Sequence, residues 1–207
     1  MQLIIGNKNY SSWSLRPWLA MKVRGMPFDE KRIALYAAGS KEQILRDSPA
    51  GKVPILKDGA TTVWDSLAIL EYLAERDPRL WPRDALERAK ARSLAAEMHA
   101  GFPKLREHMS MNVRKRYPGK GRTPEVLADI ARITAIWAGA KGPFLFGDFT
   151  AADAMYAPVV LRFRTYAVEG PNRAYMDAML ALPAMREWIE ASEREPESIP
   201  GLDAMYE

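Results

Sequence analysis

Three hydroxyls crowd one short stretch, Tyr10-Ser11-Ser12-Trp13-Ser14-Leu15-Arg16-Pro17-Trp18. Hydroxyl donors gathered at the positive end of a helix are suited to holding an anion. Ser11, Ser12 and Ser14 compete for two tasks, capping the helix and donating outward. Proline is comfortable in the first turn and costs a ladder bond deeper in a helix, so Pro17 predicts a helix that starts at Ser14. Ser14 is then the structural N-cap, which leaves Ser11 and Ser12 free in the preceding loop; the plainer reading makes them turn residues. The chain has no cysteine. Disulfides, thiolate metal sites and a redox couple of protein sulfur are therefore excluded, and any thiol chemistry must use a sulfur brought from outside.

The elements that would position these serines alternate short strands with helices over the first eighty residues, the mark of an α/β unit. Leu3 to Ile5 reads as a strand. A helix from about Ser14 to Arg24 carries Leu15, Trp18, Leu19 and Val23 on one face and stops at Gly25. A second strand falls near Phe28 to Leu35, and a short helix near Lys41 to Arg46. Residues 53–64 form a hairpin around an Asp58-Gly59 turn. Asp65 or Ser66 then caps a helix running to about Glu75, with Leu67, Leu70, Leu73 and Ala74 along one stripe.

The order is βαβαββα over residues 1–77. Two prolines among charges make 78–84 a linker. Residues 85–207 read as all-helical, with helices near 84–110, 124–138, 150–166, 173–180 and 183–194. Thr150 as N-cap with Asp153 three residues on resembles a capping box, and Pro158 should bend that helix.

A chain of 207 residues, 48% hydrophobic and 27% charged, has the composition of an ordinary globular protein. No apolar run reaches the ~20 residues of a membrane span, and the N-terminal apolar stretch is too short for a secretory signal; a cytoplasmic protein without a membrane partner is expected. The net charge of +4 raises the question of nucleic acid, but the basic residues are dispersed and no nucleic-acid partner is expected. The exception, five cations without an acid at 113–122, reads as a solvated helix end and loop or as a steering patch for anionic substrates. His99 and His108 stand apart from any metal-type cluster, so no metal is expected and both read as ordinary helix residues.

YSSWSLRPW, KVPIL, WDSLAILEYL and GDFTAADA, in this order and spacing, resemble the glutathione transferase superfamily over essentially the whole chain. The Ser-Ser-x-Ser-x-Arg arrangement at 11–16 is similar to zeta-type and other serine-type bacterial members, and MHAGFPKLREHMSMN at 98–112 resembles a helix of little-characterised bacterial relatives. The resemblance implies a thioredoxin-like N-terminal domain followed by an all-α domain. It also implies glutathione as co-substrate and a homodimer with the site near the subunit interface.

A free thiol ionises only near pH 8.5, and the thiolate is the nucleophile. Ser11 or Ser12 is the expected catalytic hydroxyl that stabilises it. The resemblance implies a cis Val53-Pro54 bond that frees the neighbouring backbone to pair with the cysteinyl part of glutathione. It assigns Asp65 and Ser66 to the γ-glutamyl end and Trp13 to the same glutathione site; Lys52 and Lys41 either pair with the glycine carboxylate as surface charges or are simply solvated. Tyr10, Met109, Met111, Asn112 and Tyr117 are expected to line a second-substrate pocket.

The expected activity is attack of the thiolate on an electrophilic small molecule. Glutathione-dependent cis-trans isomerisation of a maleylacetoacetate-like diacid, or a non-catalytic binding module on the same fold, are the alternatives. The missing cysteine disfavours branches that form a mixed disulfide with glutathione.

Overall fold

The computed structural model describes residues 1–170 and 173–206. The N-terminal domain contains β1 (Gln2–Ile5), α1 (Ser12–Val23), β2 (Asp29–Arg32), α2 (Ser40–Asp47), β3 (Ile55–Asp58), β4 (Thr61–Val63) and α3 (Ser66–Arg76). One mixed sheet of order β2-β1-β3-β4 pairs β1 parallel with β2 and antiparallel with β3, and β3 antiparallel with β4. This is the thioredoxin-like arrangement.

Alternation along β1 divides the core between the two faces of the sheet. Leu3 and Ile5 join α1 and α3 in the large apolar cluster, while Ile4 joins Ile33, Ile44 and Ile55 on the α2 side. The hairpin loop is Gly59-Ala60, one residue later than the sequence suggests, because Asp58 still pairs with Thr61. Gly59 takes the positive φ of 58° that the tight turn requires.

A 3₁₀ turn at Pro78–Leu80 leads into the helical domain: α4 (Ala85–Ala100), α5 (Pro103–His108), α6 (Pro124–Ala138), α7 (Ala151–Tyr166), α8 (Arg173–Ala181), α9 (Pro183–Glu193) and α10 (Pro200–Asp203). The single helix expected over 84–110 is two. Phe102 adopts a left-handed conformation at φ 58°, and Pro103 behind it disfavours helix at the preceding residue.

α7 is buried on nearly every side and packs against both α1 and α4, so it joins the two domains. Its start is fixed by Asp153, whose Oδ2 accepts the Thr150 N–H at 2.8 Å and the Thr150 hydroxyl at 2.9 Å. Oδ1 accepts the Leu145 N–H at 2.9 Å and the Tyr175 hydroxyl at 3.1 Å. Complete burial pushes the Asp153 carboxyl up to about 6, against the pull of these four bonds. Pro158 lies inside α7, which continues to Tyr166.

The start of α1 differs from the sequence expectation. The helix begins at Ser12 with Ser11 as N-cap, so Pro17 is an interior residue and Ser14 is not the cap. Burial outweighs the missing ladder bond: Leu15, Trp18, Leu19 and Met21 are all fully buried, each such large side chain contributing about 1.5–3 kcal/mol. Ser14 has another task. Its Oγ accepts the Gly6 N–H at 3.1 Å and ties the end of β1 to α1.

Candidate active site

Ser11 and Ser12 stand at the positive end of α1, both nearly buried, and neither is free in a loop. The Ser11 hydroxyl donates to Ser14 Oγ at 2.7 Å. A serine hydroxyl carries one proton and accepts twice, so this pair shares one hydrogen bond between two protons. Turning the Ser14 proton toward Ser11 releases the Ser11 proton for a ligand, with the chain Gly6 N–H, Ser14, Ser11 behind it. Ser12 Oγ accepts from Arg162 Nη2 at 3.2 Å, which leaves its proton without an acceptor among the described residues.

The Val53-Pro54 bond is cis and so is Trp64-Asp65. The first of these opens β3; the second delivers the chain to α3. Asp65 caps α3 through Oδ1, which accepts the Leu67 N–H at 3.1 Å and the Ala68 N–H at 3.4 Å. Its Oδ2 lies 3.2 Å from His99 Nε2. His99 is therefore more than an ordinary helix residue: it brings α4 to the N-terminus of α3 and meets the Trp13 ring edge-on at 5.3 Å.

Ser66 is fully buried and accepts from Arg16 Nη1 at 3.3 Å. Lys41 donates to the Gly51 carbonyl at 3.0 Å, whereas Lys52 is exposed.

Trp13 is the centre of a cationic cluster that sequence reasoning missed. The Arg16 guanidinium lies over its ring at 4.2 Å and that of Arg106 at 4.9 Å. Desolvation, reinforced by Arg106 and Arg162, holds Arg16 well below the usual guanidinium range. Its Nε and Nη2 have no hydrogen-bond partner among the described residues. The sequence signals were Arg16, the last residue of the Ser-Ser-x-Ser-x-Arg motif, and Arg162, which follows the apolar run Ala154–Leu161 of α7.

The five residues expected to line a second pocket do not line an open one. Tyr10, Met109, Met111, Asn112 and Tyr117 are all buried, three of them held by the chain's last residues. Asp203 accepts from the Tyr10 hydroxyl at 2.8 Å and from Asn112 Nδ2 at 2.7 Å, and the Tyr117 hydroxyl donates to the Asp203 carbonyl. Arg114 donates to the carbonyls of Glu195 at 2.6 Å and Glu197 at 2.7 Å and to the Tyr10 hydroxyl at 2.9 Å. The basic run at 113–122 is thus partly a clamp for the C-terminal strap, not a solvated helix end.

Asp203→Ala is expected to loosen this strap. It should cost about 1–3 kcal/mol, the value of hydrogen bonds to a charged acceptor, in denaturant unfolding, with faster amide exchange at residues 199–206. A groove of about 460 Å³ lined by Glu71, Trp81, Arg88 and Arg92 shares no residue with this site.

A thioredoxin-like domain with a cis proline opening β3, an N-capped α3 beside it and a helical domain over α1 defines the class. The chain belongs to the glutathione S-transferase family: residues 10–76 match the family model for the N-terminal domain and residues 120–191 that for the C-terminal domain. It is 29% identical to maleylacetoacetate isomerase of Rattus norvegicus over 190 residues, 85% of this chain and 87% of that one.

Among solved structures it resembles the holo form of a maleyl pyruvate isomerase, described as a zeta-class bacterial glutathione S-transferase. The TM-score is 0.73 at 24% identity, covering 96% of this chain and 100% of that one. It also resembles a glutathione transferase homologue from Burkholderia gl BGR1 with bound glutathione, at TM-score 0.72 and 21% identity, covering 94% and 98%. No helix among the described residues is long and apolar enough to cross a membrane.

Proposed function

We propose that this chain binds glutathione, holds it as the thiolate with Ser11 and Ser12, and directs it at an electrophilic carbon of a small molecule. The observation that carries this reading is the start of α1, where two hydroxyls stand at the positive helix end. Each is backed by a second polar group, Ser11 by Ser14 Oγ, to which it donates, and Ser12 by Arg162 Nη2, from which it accepts. On this reading the thiol proton leaves to water, and the thiolate forms a carbon–sulfur bond. In a transfer reaction the leaving group departs with its electron pair. The backbone at Val53 and the turn at Asp65-Ser66 hold the tripeptide.

A second reading within the same chemistry is isomerisation of an unsaturated diacid such as maleylacetoacetate. The thiolate adds to the conjugated double bond, the former double bond rotates, and elimination returns glutathione unchanged. Two observations favour it: the isomerase relative, and the cations Arg16, Arg106 and Arg162 gathered around Trp13 and Ser12, which suit an anionic substrate.

Glutathione consumption separates the two readings. With an aryl halide, a transferase consumes one glutathione per product. With maleylacetoacetate, an isomerase converts substrate while total thiol stays constant. No turnover of either class, in protein that binds glutathione, would leave only the binding-module alternative.

A further inference from the structure

The described residues offer three features whose roles the reading above leaves open: the groove beside Trp81, the C-terminal strap, and the buried guanidinium of Arg162. The last carries an inference. Arg162 is 5% exposed and lies on α7, in the other domain from the serines. Its Nη1 donates to the Met109 carbonyl and its Nη2 to Ser12 Oγ at 3.2 Å.

No carboxylate pairs with it among the described residues. The charged or titratable groups that face it are Arg106 and Tyr166, with Arg16 nearby. Arg106 is itself occupied by the Gly101 and Met98 carbonyls. A buried guanidinium without an anion is costly, and burial, with Arg106 beside it, pushes Arg162 down to about 9, which still leaves it charged at neutral pH.

We propose that Arg162 is a positioning residue, one that orients the Ser12 hydroxyl toward the glutathione sulfur and supplies the positive charge the thiolate faces. The Ser12 oxygen is occupied as an acceptor by Nη2, so its own proton is turned away from α7 and remains available to a ligand. The hydrogen bond also polarises that O–H, strengthening it as a donor to an anion. The charge comes from the helical domain and the sulfur from a ligand of the thioredoxin-like domain, so thiol activation would depend on how the two domains are docked. This inference rests on the serine reading above.

The test is the pH titration of thiolate absorbance in the glutathione complex. Arg162→Met is expected to raise the bound thiol's pKa by about one to two units, the range of a lost charge-assisted bond. Arg162→Lys, which keeps the charge, should recover part of that shift. Ser12→Ala should also raise it, by less than Arg162→Met because the guanidinium charge stays in place, and the double variant should fall short of the sum of the two, because both remove the same hydrogen bond.

A wild-type titration in Arg162→Met, alongside a shifted one in Ser11→Ala or Ser12→Ala, overturns the inference and leaves the serine reading intact. Unshifted titrations in both serine variants defeat the serine reading itself. If Arg162→Met does not fold by near-ultraviolet dichroism, Arg162→Lys decides: it loses a donor from the fork, so a shift of about half a unit or more supports the role, and none refutes it.

Discussion

Replacing Ser11 and Ser12 together by alanine is expected to lower turnover at pH 6.5 by up to about 10²-fold, since the lost hydrogen bonds to an anion, about 1.5–3 kcal/mol each, let the thiol pKa return to about 8.5, where about 1% is still ionised at that pH. Fold and glutathione affinity should change far less. Ser11 caps α1 with its backbone geometry and makes no side-chain cap bond, and the tripeptide's other contacts are assigned to β3 and to the start of α3. The loss should also shrink with pH. A thiol left without its donors ionises unaided near its ordinary pKa of about 8.5, so the double variant should approach wild-type rate above pH 9. Parallel pH–rate profiles, with equal loss at every pH, would mean that the serines position substrate and do not set ionisation.

Ser14 is the informative third variant. Read as a cap, it would affect stability alone; as the residue behind Ser11, its replacement by alanine should also raise the thiol pKa.

Much of the fold was legible because its signals were local. The apolar stripe of α3, the hairpin around Gly59 and the Thr150-Asp153 start of α7 each follow from a few neighbouring residues. The errors came where distant packing overruled a local rule. Pro17 argued for a later helix start, but α1 is wedged between the sheet, α3 and α7, and the burial of Trp18 and its neighbours outweighs one carbonyl left without its ladder bond.

The site was legible only in its N-terminal half. His99 reaches Asp65 from 34 positions away and Arg162 reaches Ser12 from 150, and neither pairing has any periodicity to betray it. Tyr10, Asn112 and Tyr117 meet at Asp203, and the strap that carries it follows a course that no pattern in residues 195–206 announces. The split between α4 and α5 could have been read from Gly101 and Pro103, which flank a residue pushed out of helix.

Asp153→Ala is expected to destabilise the protein by about 2–4 kcal/mol, because it leaves four donors with no acceptor in a site without solvent. The backbone N–H groups of Leu145 and Thr150 and the hydroxyls of Thr150 and Tyr175 all converge on this carboxylate. The start of α7, the helix that docks the second domain on α1, depends on it. The pH dependence has a definite sign. The folded-state pKa of about 6 lies above the unfolded value of about 3.9, so the folded protein holds the proton more tightly between those values. The stability this group contributes is then greatest below about pH 4 and is lost as pH rises through 6, by an amount on the order of 3 kcal/mol for a shift of about two units. The difference between wild type and Asp153→Ala should therefore widen as pH falls from 7 to 4, which cancels the titration of every other group. Denaturant unfolding of both proteins across that range measures it. A gap that narrows toward acid would show that the four hydrogen bonds, and not burial, dominate this carboxylate.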